Sequence, residues 1–177
     1  MDASFLPLVG GPSACFPLIK VLMPLACATE TAVRSRSTKS LATIVAAIPG
    51  TASAGADATN FASTEEWAAL KAFILELSVG SEAAEAEAAG KKVEEPWFPA
   101  KLSASNLYPA VYACLPKDGM AEEKGALLEN FAALSDDEMP MVRANAAGAL
   151  AGLSTLVTTA TFKQHLLPIF KLVSEDR

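Results

Sequence analysis

The chain has 177 residues, 51% of them hydrophobic, a formal charge of −6 and a single histidine. That hydrophobic fraction excludes a disordered chain, and the negative balance argues against non-specific nucleic-acid binding, which needs a basic face. Aromatic residues make up only 7% while alanine is abundant, a balance that favours closely packed helices over a β-sandwich.

Residues 1–12 end in Gly10-Gly11-Pro12 and read as the tail of a helix with its exit loop. Next, Phe16, Ile19, Leu22, Met23, Leu25 and Ala26 give Ala14–Ala28 the pattern of a short buried helix. A turn, Ala28-Thr29-Glu30-Thr31, leads into Ala32-Val33-Arg34 and a second helix through Leu41, Ile44, Val45 and Ile48, stopped by Pro49-Gly50. The small polar stretch 51–59 reads as a loop. Ser63-Thr64-Glu65-Glu66 is a capping-box signal, with Trp67, Leu70, Phe73, Ile74 and Leu77 behind it and Gly80 as the stop. Residues 81–95 are charged and alanine-rich with one large apolar residue, and read as an exposed insertion.

Pro96-Trp97-Phe98-Pro99-Ala100-Lys101 opens the next helix, carrying Leu102, Leu107, Val111, Cys114 and Leu115, with Pro109 expected to kink or interrupt it and Pro116 and Gly119 closing it. Met120, Leu127, Leu128, Phe131 and Leu134 then recur at helical spacing, as do Val142, Ala146, Ala149, Leu150, Leu153 and Val157 beyond the turn. Asp136, Asp137 and Glu138 stand where a helix start favours negative charge, and Pro140 fits the first turn, where a missing N–H is harmless. Phe162, Leu166, Leu167, Ile169, Phe170, Leu172 and Val173 form one more apolar helix.

The expected fold is therefore all-α: a solenoid of paired helices in one array over 1–177. Its units are a repeat at 14–49, a repeat at 60–116 with an insertion at 81–95, a repeat at 120–158 and a half-repeat at 161–177, so about three repeats with half-repeats at both ends. Arg34, Lys101 and Arg143 hold the same place in three units. The last two stand about one HEAT period apart, and the longer gap before Lys101 is filled by the two low-complexity segments.

Several segments carry a resemblance: L-V-G-G-P at Leu8 to Pro12, L-A-C-A-T-E-T-A-V-R at Leu25 to Arg34, W-F-P-A-K-L-S-A at Trp97 to Ala104, L-S-D-D-E-M-P-M-V-R at Leu134 to Arg143, and the closing L-L-P-I-F-K-L-V-S-E-D. In this order they resemble consecutive repeats from the amino-terminal third of the scaffold (A, 65 kDa regulatory) subunits of protein phosphatase 2A, a HEAT-repeat, armadillo-like family. The resemblance implies that the turns form a ridge that docks a regulatory B-type subunit. The ridge positions are Thr29, Glu30 and Thr31; Trp97 and Phe98; and Asp136, Asp137, Pro140 and Met141. Arg34, Lys101 and Arg143 would form a structural ladder. The catalytic subunit is a partner only if further repeats exist, and the implied location is the cytoplasm, with the nucleus left open. Two departures stand out: Ala144 replaces a second family arginine, and the third turn carries one extra residue.

Plainer roles compete with docking. Trp97 can pack on its own helix pair, and Asp136 or Asp137 with Arg143 can cap a helix and join repeats through ion pairs. A HEAT-like transport adaptor, or a structural fragment without a partner of its own, remains the alternative reading.

No phosphate-binding loop, nucleophile elbow or zinc-protease motif occurs in the sequence, and His165 has no catalytic context. Catalysis, cofactor and metal are not expected. Cys15, Cys27 and Cys114 read as reduced core thiols. The apolar run from Phe16 to Ala28 is too short to span a bilayer and the N-terminus is a poor signal peptide, so no membrane contact is expected. Gly148 and Gly152 read as a point where one helix comes close to another.

Overall fold

The computed structural model describes Leu8 and residues 16–46, 65–80, 98–115 and 120–175. The expectations for the N-terminal tail beyond Leu8, the 51–59 loop, the Ser63-Thr64 cap, the 81–95 insertion, Cys15 and Trp97 lie outside the described residues. So do the stops assigned to Pro49-Gly50, Pro116 and Gly119.

The elements are α1 (Phe16–Ala26), α2 (Thr31–Ala46), α3 (Glu65–Ser78), α4 (Phe98–Ala113), α5 (Ala121–Ser135), α6 (Pro140–Ser154), α7 (Thr159–Thr161), a π turn (Phe162–Leu166) and α8 (Leu167–Glu175). No strand occurs among the described residues. α1 packs on α2, α3 on α4 and α5 on α6, while α2, α4 and α6 lie side by side in one layer. The π turn and α8 cover α5 and α6. This is an all-α helical-repeat solenoid.

α2, α4 and α6 run parallel. Asn145 near the start of α6 donates to the Leu102 carbonyl near the start of α4 (2.7 Å). Two turns further on, Gly152 of α6 backs onto the ring of Pro109 in α4. Between α2 and α4, Thr38 donates to Ser103 Oγ (3.0 Å), and the Cys114 thiol just beyond α4 meets the Val45 carbonyl of α2 (3.2 Å). Hence the starts of all three helices share one edge of the layer.

Most of the apolar residues expected from periodicity form the core, but Leu25 of α1 and Phe170 and Leu172 of α8 are exposed. Leu41, Ile44, Leu70, Ile74, Leu77, Leu107, Leu127, Leu128, Phe131 and Leu153 are almost fully buried. Each such side chain contributes about 1.5–3 kcal/mol relative to exposure. Tyr108 meets Phe131 edge to face at 5.5 Å, and its hydroxyl donates to Ser78 Oγ (3.2 Å). Burial pushes the Tyr108 phenol up to about 12, opposed by the Ser78 hydrogen bond. Small polar residues are also buried here, as Ser103 shows by donating to the Ala26 carbonyl at 2.6 Å. No buried side-chain polar atom among the described residues lacks a partner.

Helix ends follow local chemistry. α3 stops at Ser78 and the chain turns through Gly80 at φ 104°, a conformation that suits glycine. Thr158 caps α7 by accepting the Thr161 N–H. The π turn ends two residues before Pro168, which has no N–H to give and would crowd the carbonyl one turn back.

Two expectations are corrected. α4 runs unbroken through Pro109, held by the helices packed on both its sides, so tertiary contact outweighs the local penalty. Of the glycine pair, only Gly152 marks a close approach, since Gly148 has nothing within 4 Å of where a Cβ would stand.

Candidate docking edge

Carbonyls in a tight corner between helices have no intrahelical donors, and side chains can supply them. Two corners here use the same device. After α1, Arg34 Nη1 donates to the carbonyls of Ala28 (2.8 Å) and Thr29 (3.0 Å), and Nη2 donates to Thr31 Oγ1 (3.2 Å). After α5, Arg143 Nη1 donates to the carbonyls of Asp137 (2.8 Å) and Glu138 (3.2 Å). In both corners the acceptors lie six and five residues before the arginine. Guanidinium geometry suits this role, because one planar fork reaches two oxygens.

The third corner has a second fastening. Asp137 Oδ1 accepts the Met139 N–H (2.9 Å), and Asp137 Oδ2 pairs with Lys101 Nζ of α4 (2.7 Å). Only 13% of the lysine side chain and 9% of the aspartate side chain are exposed. The sequence suggested a carboxylate facing Arg143. The structure joins Asp137 to Lys101 on the neighbouring helix pair, and Arg143 also donates to the corner carbonyls. Helix capping also differs from expectation. The N-cap of α6 is Met139, in extended conformation with no side-chain cap, and Pro140 follows in the first turn.

The named positions divide by exposure. Thr29, Glu30, Thr31, Asp136, Pro140 and Met141 are exposed. Phe98 is half-buried and packs against the core. Asp137 turns inward to its ion pair, and Trp97 lies outside the described residues. Thr31 and Met141, from different corners, line one open groove of roughly 460 Å³ across α2, α4 and α6, together with Asn106 and Asn145. The edge thus brings the first and third corners to a common surface. Sequence reasoning passed over two exposed apolar residues here, Val33 (40%) and Met139 (42%). The extra residue in the third turn was the available signal for Met139.

The basic groups of this edge point inward to carbonyls and Asp137, whereas Glu30, Asp136 and Glu138 face solvent. Exposed Arg36 stands further along α2. Burial pushes the Cys27 thiol up, helped by the carboxylate of Glu76, and burial pushes Cys114 up to about 12. Neither is a ready nucleophile. Among the described residues, no three His, Cys, Asp or Glu side chains cluster as a metal site, and no helix is long and apolar enough to cross a membrane.

No protein-family model matches the chain. Over 173 residues, 98% of its length, it is 28% identical to the regulatory (A-type) subunit of protein phosphatase PP2A from Schizosaccharomyces pombe. The chain spans 24% of that relative's length. The helical-repeat fold and this likeness together support kinship with a phosphatase scaffold.

Proposed function

We propose that the chain is a non-catalytic scaffold segment that docks a regulatory B-type subunit of a protein phosphatase 2A along the edge formed by its helix starts. The observation that carries this reading is the repeated arginine clamp. It fixes two corners in the same form on one side of the layer and leaves Thr29, Glu30, Thr31, Pro140 and Met141 in solvent. The likeness to a phosphatase regulatory protein supplies the class of partner.

In this reading the units are those expected from the sequence, the working compartment is the cytoplasm, and the catalytic subunit is a partner only if further repeats exist. The test is retention of a purified B-type subunit by the full chain, compared with a variant carrying Glu30→Lys and Asp136→Lys. The wild-type chain retains its partner and the variant loses it, with unchanged helical circular dichroism. Failure of the wild-type chain to retain any B-type subunit overturns the proposal.

A further inference from the structure

Two side-chain amides converge on one carbonyl in the open groove across α2, α4 and α6. Asn106 Nδ2 donates to the Leu102 carbonyl of its own helix at 3.1 Å, and Asn145 Nδ2 of α6 donates to the same oxygen at 2.7 Å. Both residues line the groove. One bond holds each amide in place and leaves it a second N–H and its own oxygen, a donor and an acceptor side by side. A peptide main chain presents the complementary pair. The remaining lining is graded along the layer. Arg34 is its only charged side chain and stands at the α2 end with exposed Ser35, whereas exposed Met141 and Ala144 make the α6 end apolar. Helices packed side by side stand about 8–10 Å apart, so α2 to α6 is roughly 20 Å, the reach of about six residues of extended chain.

We infer that this groove binds an extended, linear stretch of polypeptide, gripped through its main chain by Asn106 and Asn145, with an acidic side chain towards Arg34 and an apolar one towards Met141 and Ala144. This goes beyond the scaffold reading and does not depend on it. An open groove admits a chain that enters and leaves over its ends. Main-chain bonds supply affinity in such a mode, and the side chains at the two ends supply the choice of sequence. A helix or sheet is a poor occupant, because its own ladder already uses its peptide groups. Arg34 keeps its bonds to the corner carbonyls and acts on the ligand through its charge.

The probe is a displayed library of random linear peptides selected on the full chain, with the enriched sequences made as free peptides and titrated against it. Those sequences carry an acidic and an apolar residue about five or six positions apart. N-methylation of the main chain midway between them weakens binding about tenfold or more, while alanine in place of the side chain there does not. Asn106→Ala weakens the same peptide about tenfold at an unchanged melting temperature, because its bond stays within α4. Ala144→Arg fills the α6 end and abolishes binding. Ser35→Glu weakens the acidic peptide and strengthens its lysine-substituted counterpart. If no free peptide binds the full chain, or bound peptides are indifferent to both Asn106→Ala and Ala144→Arg, the inference is wrong and the scaffold reading stands. If N-methylation is tolerated, the main-chain grip is wrong. If Ser35→Glu leaves the charge preference unchanged, the placing of the acidic side chain beside Arg34 is wrong.

Discussion

The pair between Lys101 and Asp137 joins residues far apart in sequence and ties the third corner to α4, so its removal should loosen one helix pair from the next. Asp137→Ala deletes a charge-assisted bond of 2.7 Å and the acceptor of the Met139 N–H. It also leaves the ammonium of Lys101 with little solvent, because only 13% of that side chain is exposed. A charge-assisted hydrogen bond contributes about 1.5–3 kcal/mol and a neutral one about 1. The expected loss is about 2–4 kcal/mol, or roughly 5–12 °C in melting temperature for a chain of this size. The interaction itself is isolated by a cycle of Lys101→Met, Asp137→Asn and the double variant, followed by urea unfolding. Exposed pairs couple by about 0.2–1 kcal/mol, and breaking a buried one costs about 3–5. The largely covered pair here should couple by about 1–2 kcal/mol and keep more than half of that in roughly 1 M salt. A coupling below about 0.5 kcal/mol, or one abolished by salt, would refute the argument that this contact is shielded and holds neighbouring units together.

Other expectations follow from single contacts. Arg34→Lys and Arg143→Lys keep the charge but lose the fork to two carbonyls, so each should lower stability by about 1–2 kcal/mol in thermal melts. Gly148→Ala should raise stability by about 0.5–1 kcal/mol, since alanine favours helix and nothing lies near the new methyl. Gly152→Ala should gain less or lose, because its Cβ would sit 3.3 Å from Pro109 Cγ; equal gains at both sites would contradict the packing described. Phe131→Ala should cost about 3–5 kcal/mol by emptying the centre of the core. Cys114 and Tyr108 are raised from 9.0 and 10.0 to about 12, so the native state keeps protons that the unfolded chain releases. Stability from these groups is fully present below pH 9 and is lost as pH rises towards about 12. Urea midpoints taken across that window should fall, and a flat profile would exclude the linkage.

Much of the helix layout was readable because burial and periodicity coincide. Leu70, Phe73, Ile74 and Leu77 mark the buried face of α3, and Leu127, Leu128, Phe131 and Leu134 that of α5. Pro140 and Gly80 announced a start and a stop through backbone constraints that no tertiary contact had to supply. The contacts between helix pairs were less legible. Ser103, Ser105 and Thr38 are buried, yet small polar residues add nothing to a hydrophobic period. The bond from Lys101 to Asp137 was not legible because the two are neighbours in space and far apart in sequence. Pro109 looked like a breaker because the helices packed on α4 are invisible to a local rule. At the edge, exposure separated Met139 from the core only once the corner's path was known.

Four bonds between neighbouring helices end on main-chain oxygens: Ser37 on Leu22, Ser103 on Ala26, Asn145 on Leu102 and the Cys114 thiol on Val45. A peptide oxygen is the same whatever side chain its residue bears. At these bonds inheritance has to preserve only the giving side chain, and the receiving residue can change without breaking the bond, unlike the pair of Lys101 with Asp137, which needs both. Such bonds let the receiving positions drift in letters while the helices keep their seats.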